Sequence, residues 1–273
     1  MATSPDTSEP DLSLGVLGAD GRMGREVVRL IAHDDALSLA AAFTHEGSDA
    51  LGADAGELAG ARRIGVAVEA FSADALAGCD VLVDFSTPGA TRAALLAMQV
   101  SPCQALVTGT TGQTVAQLRE LDDLAAGLAV LRAGNFSLGV NLMEALVERA
   151  AAALGPDYDI EVDEAHHRRK VDAPSGTAIL LGEAAGRGRG VEFAPSTDRN
   201  GPREAGAIGL SVRRAGGIVG DHEVSFTDAR ERLAISHRAF DRSLFASGAL
   251  AAARWIAGRG PGRYTMRDVL GLD

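Results

Sequence analysis

The sequence predicts an α/β chain in two parts: a doubly wound parallel-sheet domain, then an α+β domain built on an open mixed or antiparallel sheet. Three observations predict it. Through the first half, short apolar runs of strand type alternate with helical patterns of about ten residues, as βαβ units require. A glycine-rich turn, GADGRMG at 18–24, joins the first strand to the first helix. After residue 135 the alternation stops, and β-type runs separated by turn residues dominate.

Taken in order, residues 12–18 (LSLGVLG) form a short apolar run ending in glycine, which reads as a buried parallel strand. Over 22–33, Met23, Val27, Val28, Leu30 and Ile31 recur at helical spacing, and 37–43 reads as a second, alanine-rich strand. Residues 47–65 are rich in Gly and Ala and read as a loop with room for one short helix. A strand at 80–85 (DVLVDF), a helix at 91–99, a strand at 104–108, a helix at 114–126 and a strand at 128–131 complete the first part. The second opens with a long apolar-rich helix at 138–153, a strand at 158–162 and a helix at 178–185. The runs IGLSVRR, IVGDHEVSF and RLAISHRAF between 207 and 240 read as an antiparallel meander, and an Ala-rich helix follows at 244–256.

Composition narrows the function classes. With 26 Lys and Arg against 37 Asp and Glu the net charge is −11, which argues against nucleic acid as the main partner, because phosphate binding needs a cationic footprint. Two cysteines, Cys79 and Cys103, are too few for a disulfide framework and fit a reduced, cytoplasmic setting. No apolar run reaches the roughly 18 residues of a membrane span. Residues 1–12, rich in Ser, Thr, Pro and acid, carry no signal-peptide pattern and read as a disordered tail.

Four stretches carry chemistry. The turn Gly18-Ala19-Asp20-Gly21-Arg22-Met23-Gly24 lets the backbone approach a pyrophosphate at the positive end of a helix, with Arg22 as an added cation. An acid that holds the adenosine ribose is expected about 20 residues on. The chain places Thr44-His45 there, with an acid only at Glu46, so this motif leaves NAD and NADP both open. The loops DFSTP (84–88) and Gly109-Thr110-Thr111-Gly112 each follow a strand, where ligands of such sheets bind, although ordinary turns use the same residues. The densest stretch is EAHHRRKVDAPSGTA at 164–178. Its cations and the helix start at Ser175, Gly176 and Thr177 suit a carboxylate, His166 titrates near neutrality, and Lys170 can hold or release a proton. A solvated basic turn before a capped helix is the bland alternative, which the PSGT turn disfavours. No metal is assigned, since His166 and His167 point apart on a strand and no third ligand is evident. Arg214, His222 and His237 read individually as surface or interface residues.

Together with GNFSLGVN (134–141), RAGGIVGDH (214–222), HRAFDRSLFASGA (237–249) and the ending MRDVL, these motifs resemble the 4-hydroxy-tetrahydrodipicolinate reductase, or dihydrodipicolinate reductase, family over nearly the whole chain. The resemblance implies a Rossmann-like dinucleotide domain at 13–135 and 244–273, to which the last helix returns, and a substrate-binding and tetramerisation domain at 136–243. It implies hydride transfer from NADPH or NADH to an unsaturated cyclic imine dicarboxylate, giving tetrahydrodipicolinate with loss of water, in a homotetramer. His166 takes the place of the proton donor or acceptor and Lys170 that of the proton donor. His167, Ser175, Gly176 and Thr177 match the substrate-carboxylate positions, and Arg242 an arginine near the same pocket. The cofactor contacts implied are Gly18, Ala19, Asp20, Gly21, Arg22, Met23, Thr44, His45, Gly109, Thr110, Thr111, Ala133, Gly134, Asn135 and Phe136.

One departure stands out. Many members carry Glu-Arg where this chain has Thr44-His45, so weak discrimination between the two cofactors is expected. Two rivals are another two-domain amino-acid dehydrogenase of the aspartate dehydrogenase type, and a non-catalytic NAD(P)H sensor. The first has no reason to carry HHRRK followed by PSGT, and the second no need of His166 and Lys170.

Overall fold

The computed structural model describes residues 12–198 and 200–272. The tail expected at 1–12 lies outside the described residues except for Leu12, which opens the first strand. In chain order the elements begin β1 (Leu12–Leu17), α1 (Arg22–Ile31), β2 (Leu37–Thr44), α2 (Ala55–Leu58), β3 (Val68–Ala70), β4 (Val81–Asp84), α3 (Pro88–Met98), β5 (Ala105–Thr108), α4 (Val115–Leu124) and β6 (Ala129–Arg132). They continue with α5 (Leu138–Leu154), β7 (Asp159–His166), α6 (Gly176–Arg189), β8 (Ile208–Arg214), β9 (Gly220–Thr227) and β10 (Arg232–Ala239), and close with α7 (Ser243–Ile256), β11 (Gly262–Tyr264) and α8 (Met266–Leu270).

The chain divides into two units. The first runs to Phe136 and resumes over Phe245–Val269; the second is built on Ser137–Leu244. The first unit holds a seven-stranded sheet in the order β11-β6-β5-β4-β1-β2-β3, with every pairing parallel. Its central strands are largely apolar because both faces are covered. Val16, Val83, Val107 and Leu131 share one core with Val27 and Ile31 of α1 and with Ala249 and Ala253 of α7. Leu17, Leu82, Leu106 and Val130 point the other way, into a core with Leu95 and Met98 of α3 and Leu121 of α4. The period of two along each strand thus sorts its side chains into two layers. Helix α7 reaches this unit through small residues: a Cβ on Gly248 would lie 1.7 Å from the Phe136 carbonyl oxygen, so only glycine fits.

The second unit is a four-stranded sheet in the order β10-β9-β7-β8. β7 pairs parallel with β8 and antiparallel with β9, while β9 and β10 form an antiparallel hairpin. This mixed sheet corrects the expected meander. The runs that become β8 and β9 are consecutive in sequence, but β7 lies between them, its backbone N–H and C=O groups paired on one edge with β8 and on the other with β9. β7 is also longer than the expected 158–162, reaching His166. Ile160, Val162, Leu210, Val224 and Phe226 pack beneath Met143 and Val147 of α5 and Leu181 and Ala185 of α6. The opposite face carries Glu161, Asp163, Glu223, Arg232, Ser236 and Arg238, all partly or fully exposed. Arg232 pairs there with Glu223, and Arg238 with Asp221.

Candidate active site

In the first unit the expected cofactor residues gather at the carboxyl ends of β1, β2, β5 and β6, beside the reversal of strand order between β1 and β4, where ligands of such sheets bind. Gly18 has φ +82°, and a Cβ there would lie 2.8 Å from the Phe85 carbonyl oxygen. A Cβ on Gly24 would lie 2.0 Å from the Gly18 oxygen, so two glycines bring α1 hard against the turn. Gly21 caps α1 without a side-chain hydrogen bond, leaving the first-turn N–H groups for an anion. The Gly18 and Ala19 N–H groups both donate to the Phe43 carbonyl, at 2.9 Å each, which ties the turn to the end of β2.

The Gly109-Thr110-Thr111 loop is held from below by Asp84. This fully buried carboxylate accepts from Ser86 N–H (2.9 Å), Ser86 Oγ (2.5 Å), Thr91 Oγ1 (2.5 Å), Thr108 Oγ1 (2.8 Å) and Thr110 Oγ1 (3.1 Å). Ala133, Gly134, Asn135 and Phe136 follow β6, with the Phe136 ring buried edge-on to Phe85 at 5.5 Å. The glycine cradle, the open helix end and this braced loop fit a dinucleotide. Arg22 and His45 are exposed beside it.

In the second unit, the end of β7 and the start of α6 converge on Glu164. Its side chain is 0% exposed and accepts from four directions: Arg214 Nη1 and Nη2 at 3.0 Å each, Ser175 N–H at 2.9 Å and His166 Nδ1 at 2.5 Å. The Arg214 fork also donates to the Asp172 carbonyl at 2.7 Å, and the Asp172 carboxylate takes Lys170 Nζ at 2.6 Å. Ser175 caps α6 by accepting from Ala178 N–H at 3.1 Å, and its Oγ lies 3.2 Å from His222 Nε2. The His222 ring meets that of His166 edge-on at 5.2 Å. A Cβ on Gly220 would lie 3.1 Å from His166 Nε2, so glycine keeps that nitrogen open.

Electrostatics separates these groups. Burial raises the Glu164 carboxyl, but hydrogen bonds from Arg214, His166 and Ser175 outweigh it and hold it below the usual carboxylate range. Burial lowers His166 and wins over the Glu164 bond, with the charges of Lys170 and Arg214 adding to it. The ring is therefore neutral at pH 7, with the proton on Nδ1 toward Glu164 and a lone pair on Nε2. His222 is pushed down to about 4, chiefly by burial. Glu164, His166 and His222 offer three donor atoms within 4.8 Å of one another. A cation there would compete with the Arg214 guanidinium for both Glu164 oxygens, so the arrangement is a hydrogen-bonded relay and not a metal cradle.

Of the residues expected from sequence, His166, Lys170 and Ser175 belong to this network, and Gly176 and Thr177 form the first turn of α6 behind the cap. His167 follows β7, with its Nδ1 buried and unpartnered. Arg242 is exposed, and no described hydrogen bond draws it into the cluster. Arg214 and His222, read as surface residues, prove central. The signal lies in strand register, since Glu164 stands opposite His222 and His166 opposite Arg214. His237, next in register to His222, reaches Ser137 Oγ at 3.3 Å, the cap of α5. Lys170 is the only lysine among the 26 Lys and Arg residues, an amine where the chain otherwise carries guanidinium.

Comparison with known proteins is consistent along the whole chain. The family description "Dihydrodipicolinate reductase, N-terminus" matches residues 12–136, and "Dihydrodipicolinate reductase, C-terminus" matches 139–270. A protein of Methylocella silvestris named 4-hydroxy-tetrahydrodipicolinate reductase is 47% identical over 268 residues, covering 96% of this chain and 98% of that one. One of the same name from Dinoroseobacter shibae is 49% identical over 263 residues, covering 94% and 97%. Among solved structures, a dipicolinate-bound dihydrodipicolinate reductase from Paenisporosarcina sp. TG-14 superposes with a TM-score of 0.74 at 24% identity, over 93% of this chain and 97% of that one, a likeness of fold. Matched in both halves and alike to these relatives over 94–96% of its length, the chain belongs to the dihydrodipicolinate reductase family of oxidoreductases.

Proposed function

We propose that the chain reduces 4-hydroxy-tetrahydrodipicolinate to tetrahydrodipicolinate with NADH or NADPH, in the diaminopimelate route to lysine. The observation that carries the reading is the linkage of His166, Lys170 and the Ser175 cap through Glu164, Arg214 and Asp172. The balance is one hydride and one proton in, one water out. When bound, the reduced nicotinamide supplies the hydride. Loss of water needs a base for a ring C–H, and the neutral Nε2 of His166 is such a base, held in its tautomer by Glu164. Hydride arrival leaves carbanion character at the neighbouring carbon, and the Lys170 ammonium supplies the proton there. Ser175, Gly176 and Thr177 at the start of α6 hold one carboxylate, through the N–H groups of Gly176 and Thr177 since that of Ser175 is taken by Glu164, and His167 and Arg242 serve the other.

The dinucleotide is held by Gly18 to Met23, Thr44, His45, Gly109 to Thr111 and Ala133 to Phe136. Four copies assemble through the second unit, a reading supported by the open charged sheet face with rows of both signs. A cytoplasmic setting follows from the need for reduced dinucleotide and agrees with two free, buried cysteines; no described helix is long and apolar enough to cross a membrane. Mixing the purified chain with NADH or NADPH and freshly generated substrate tests the reading: nicotinamide absorbance falls if it is right and stays constant for a sensor. Light scattering tests the tetramer.

A further inference from the structure

We propose that Asp20, in the glycine turn, supplies the ribose-binding acid that is missing at the end of β2, and that it biases the chain toward NADH. The inference rests on the cofactor reading above and adds which dinucleotide is preferred and why. A carboxylate at the adenosine end accepts hydrogen bonds from the vicinal ribose hydroxyls and repels a 2′-phosphate. The strand that normally carries it ends here in Thr44-His45, and the next acid, Glu46, is exposed beyond it.

The fold brings an acid back to this place from elsewhere in the chain. The turn is tied to the end of β2 by the bonds from Gly18 and Ala19 to the Phe43 carbonyl. The Asp20 carboxylate is fixed by Ser48 Oγ, which donates to it at 2.6 Å from the loop after β2. Beside it, the buried Thr44 hydroxyl closes no hydrogen bond of ordinary geometry but stands near enough to the Asp20 carboxylate to lower it, and can join that carboxylate in receiving a ribose hydroxyl. Burial alone would raise the Asp20 carboxyl, but the Ser48 bond, other nearby dipoles and the field of His45 lower it, so it is ionised at neutral pH. The Arg25 side chain on α1 is turned to the Asp20 backbone carbonyl at 2.9 Å. A 2′-phosphate would therefore meet a fixed negative charge, with the exposed Arg22 and His45 as its counterweights.

The test is equilibrium binding, read by nicotinamide fluorescence on the purified chain without substrate. Where Thr44-His45 alone predicts weak discrimination, the wild type is now expected to bind NADH about tenfold more tightly than NADPH, the worth of one charge-assisted hydrogen bond. Asp20→Ala weakens NADH by about the same factor and leaves NADPH equal or tighter, so the preference collapses. Asp20→Asn keeps the shape and the Ser48 partner, and guards against a folding defect; it is expected to tighten NADPH severalfold. A wild type that binds NADPH as well as NADH, or an Asp20→Ala chain that loses both equally, overturns the proposal. If neither dinucleotide binds any of the three chains, the cofactor reading itself falls, and this inference with it.

Discussion

Each unit of the molecule buries one carboxylate completely, and the two are satisfied in opposite ways. Asp84 in the first unit is surrounded by hydroxyls and one backbone N–H, all uncharged donors from Ser86, Thr91, Thr108 and Thr110. Glu164 in the second is gripped by a guanidinium, an imidazole and a helix-end N–H. All the partners of Asp84 are uncharged groups on β5, on α3 and on the loops after β4 and β5, so it ties these segments together as a brace. The partners of Glu164 include one group that titrates and one that leads through Asp172 to Lys170. The same residue chemistry thus serves as a brace in one region and as a link to proton-carrying groups in the other.

The contrast breaks first if the second region carries no proton chemistry. Lys170→Arg keeps the charge and forfeits the transferable proton, and His166→Gln removes the base. Each is expected to lower kcat by about 10²-fold or more while dinucleotide affinity, measured by fluorescence, stays put. Equal loss of cofactor binding would mean these residues act elsewhere.

Glu164→Gln comes next, because it leaves the Arg214 guanidinium half-buried without its anion. A stability loss of about 3–5 kcal/mol in urea unfolding is expected, together with an altered pH profile of kcat as the His166 tautomer loosens. An unchanged profile would reduce Glu164 to a second brace.

A third test uses pH alone. His222 stays neutral when folded down to about 4, whereas the unfolded chain protonates it near 6.5, so between those values the unfolded state binds more protons. Its contribution is fully present above pH 6.5 and is lost as the pH falls toward about 4, and the span corresponds to about 3 kcal/mol. Glu164, whose carboxyl is lowered, adds to the loss further into acid. Urea midpoints for wild type and His222→Gln measured at pH 5 and pH 7.5 should show the variant with the shallower slope.

The smallest effect belongs to Asp84→Asn. Its hydroxyl partners can rotate to donate or accept, so about 1–3 kcal/mol of stability is expected to go, with no change in the pH profile. A shifted profile would make the two carboxylates alike after all.

Much of this was legible in the sequence wherever the signal is local. The glycine turn, the strand–helix alternation and the serine before α6 each depend on neighbours within a few residues. The short pieces escaped: β3 and β11 have three residues each, too few for a period, and they form only because a sheet edge is waiting. The strand order of the second unit escaped because pairing β7 between β8 and β9 depends on contacts distant in sequence. The site divided along the same line. His166, Lys170 and Ser175 lie within one stretch of chain, while Arg214 and His222 join it through cross-strand register, which no spacing along the sequence reveals. Arg242 was expected from resemblance alone, and the geometry of the described cluster adds nothing to it.

The solitary lysine has a practical consequence. Expression with isotope-enriched lysine would light up one side-chain nitrogen in the whole chain, at the amine that sits against Asp172. Its resonance would report the charge of that amine directly, and ligand titrations could be followed without spectral assignment.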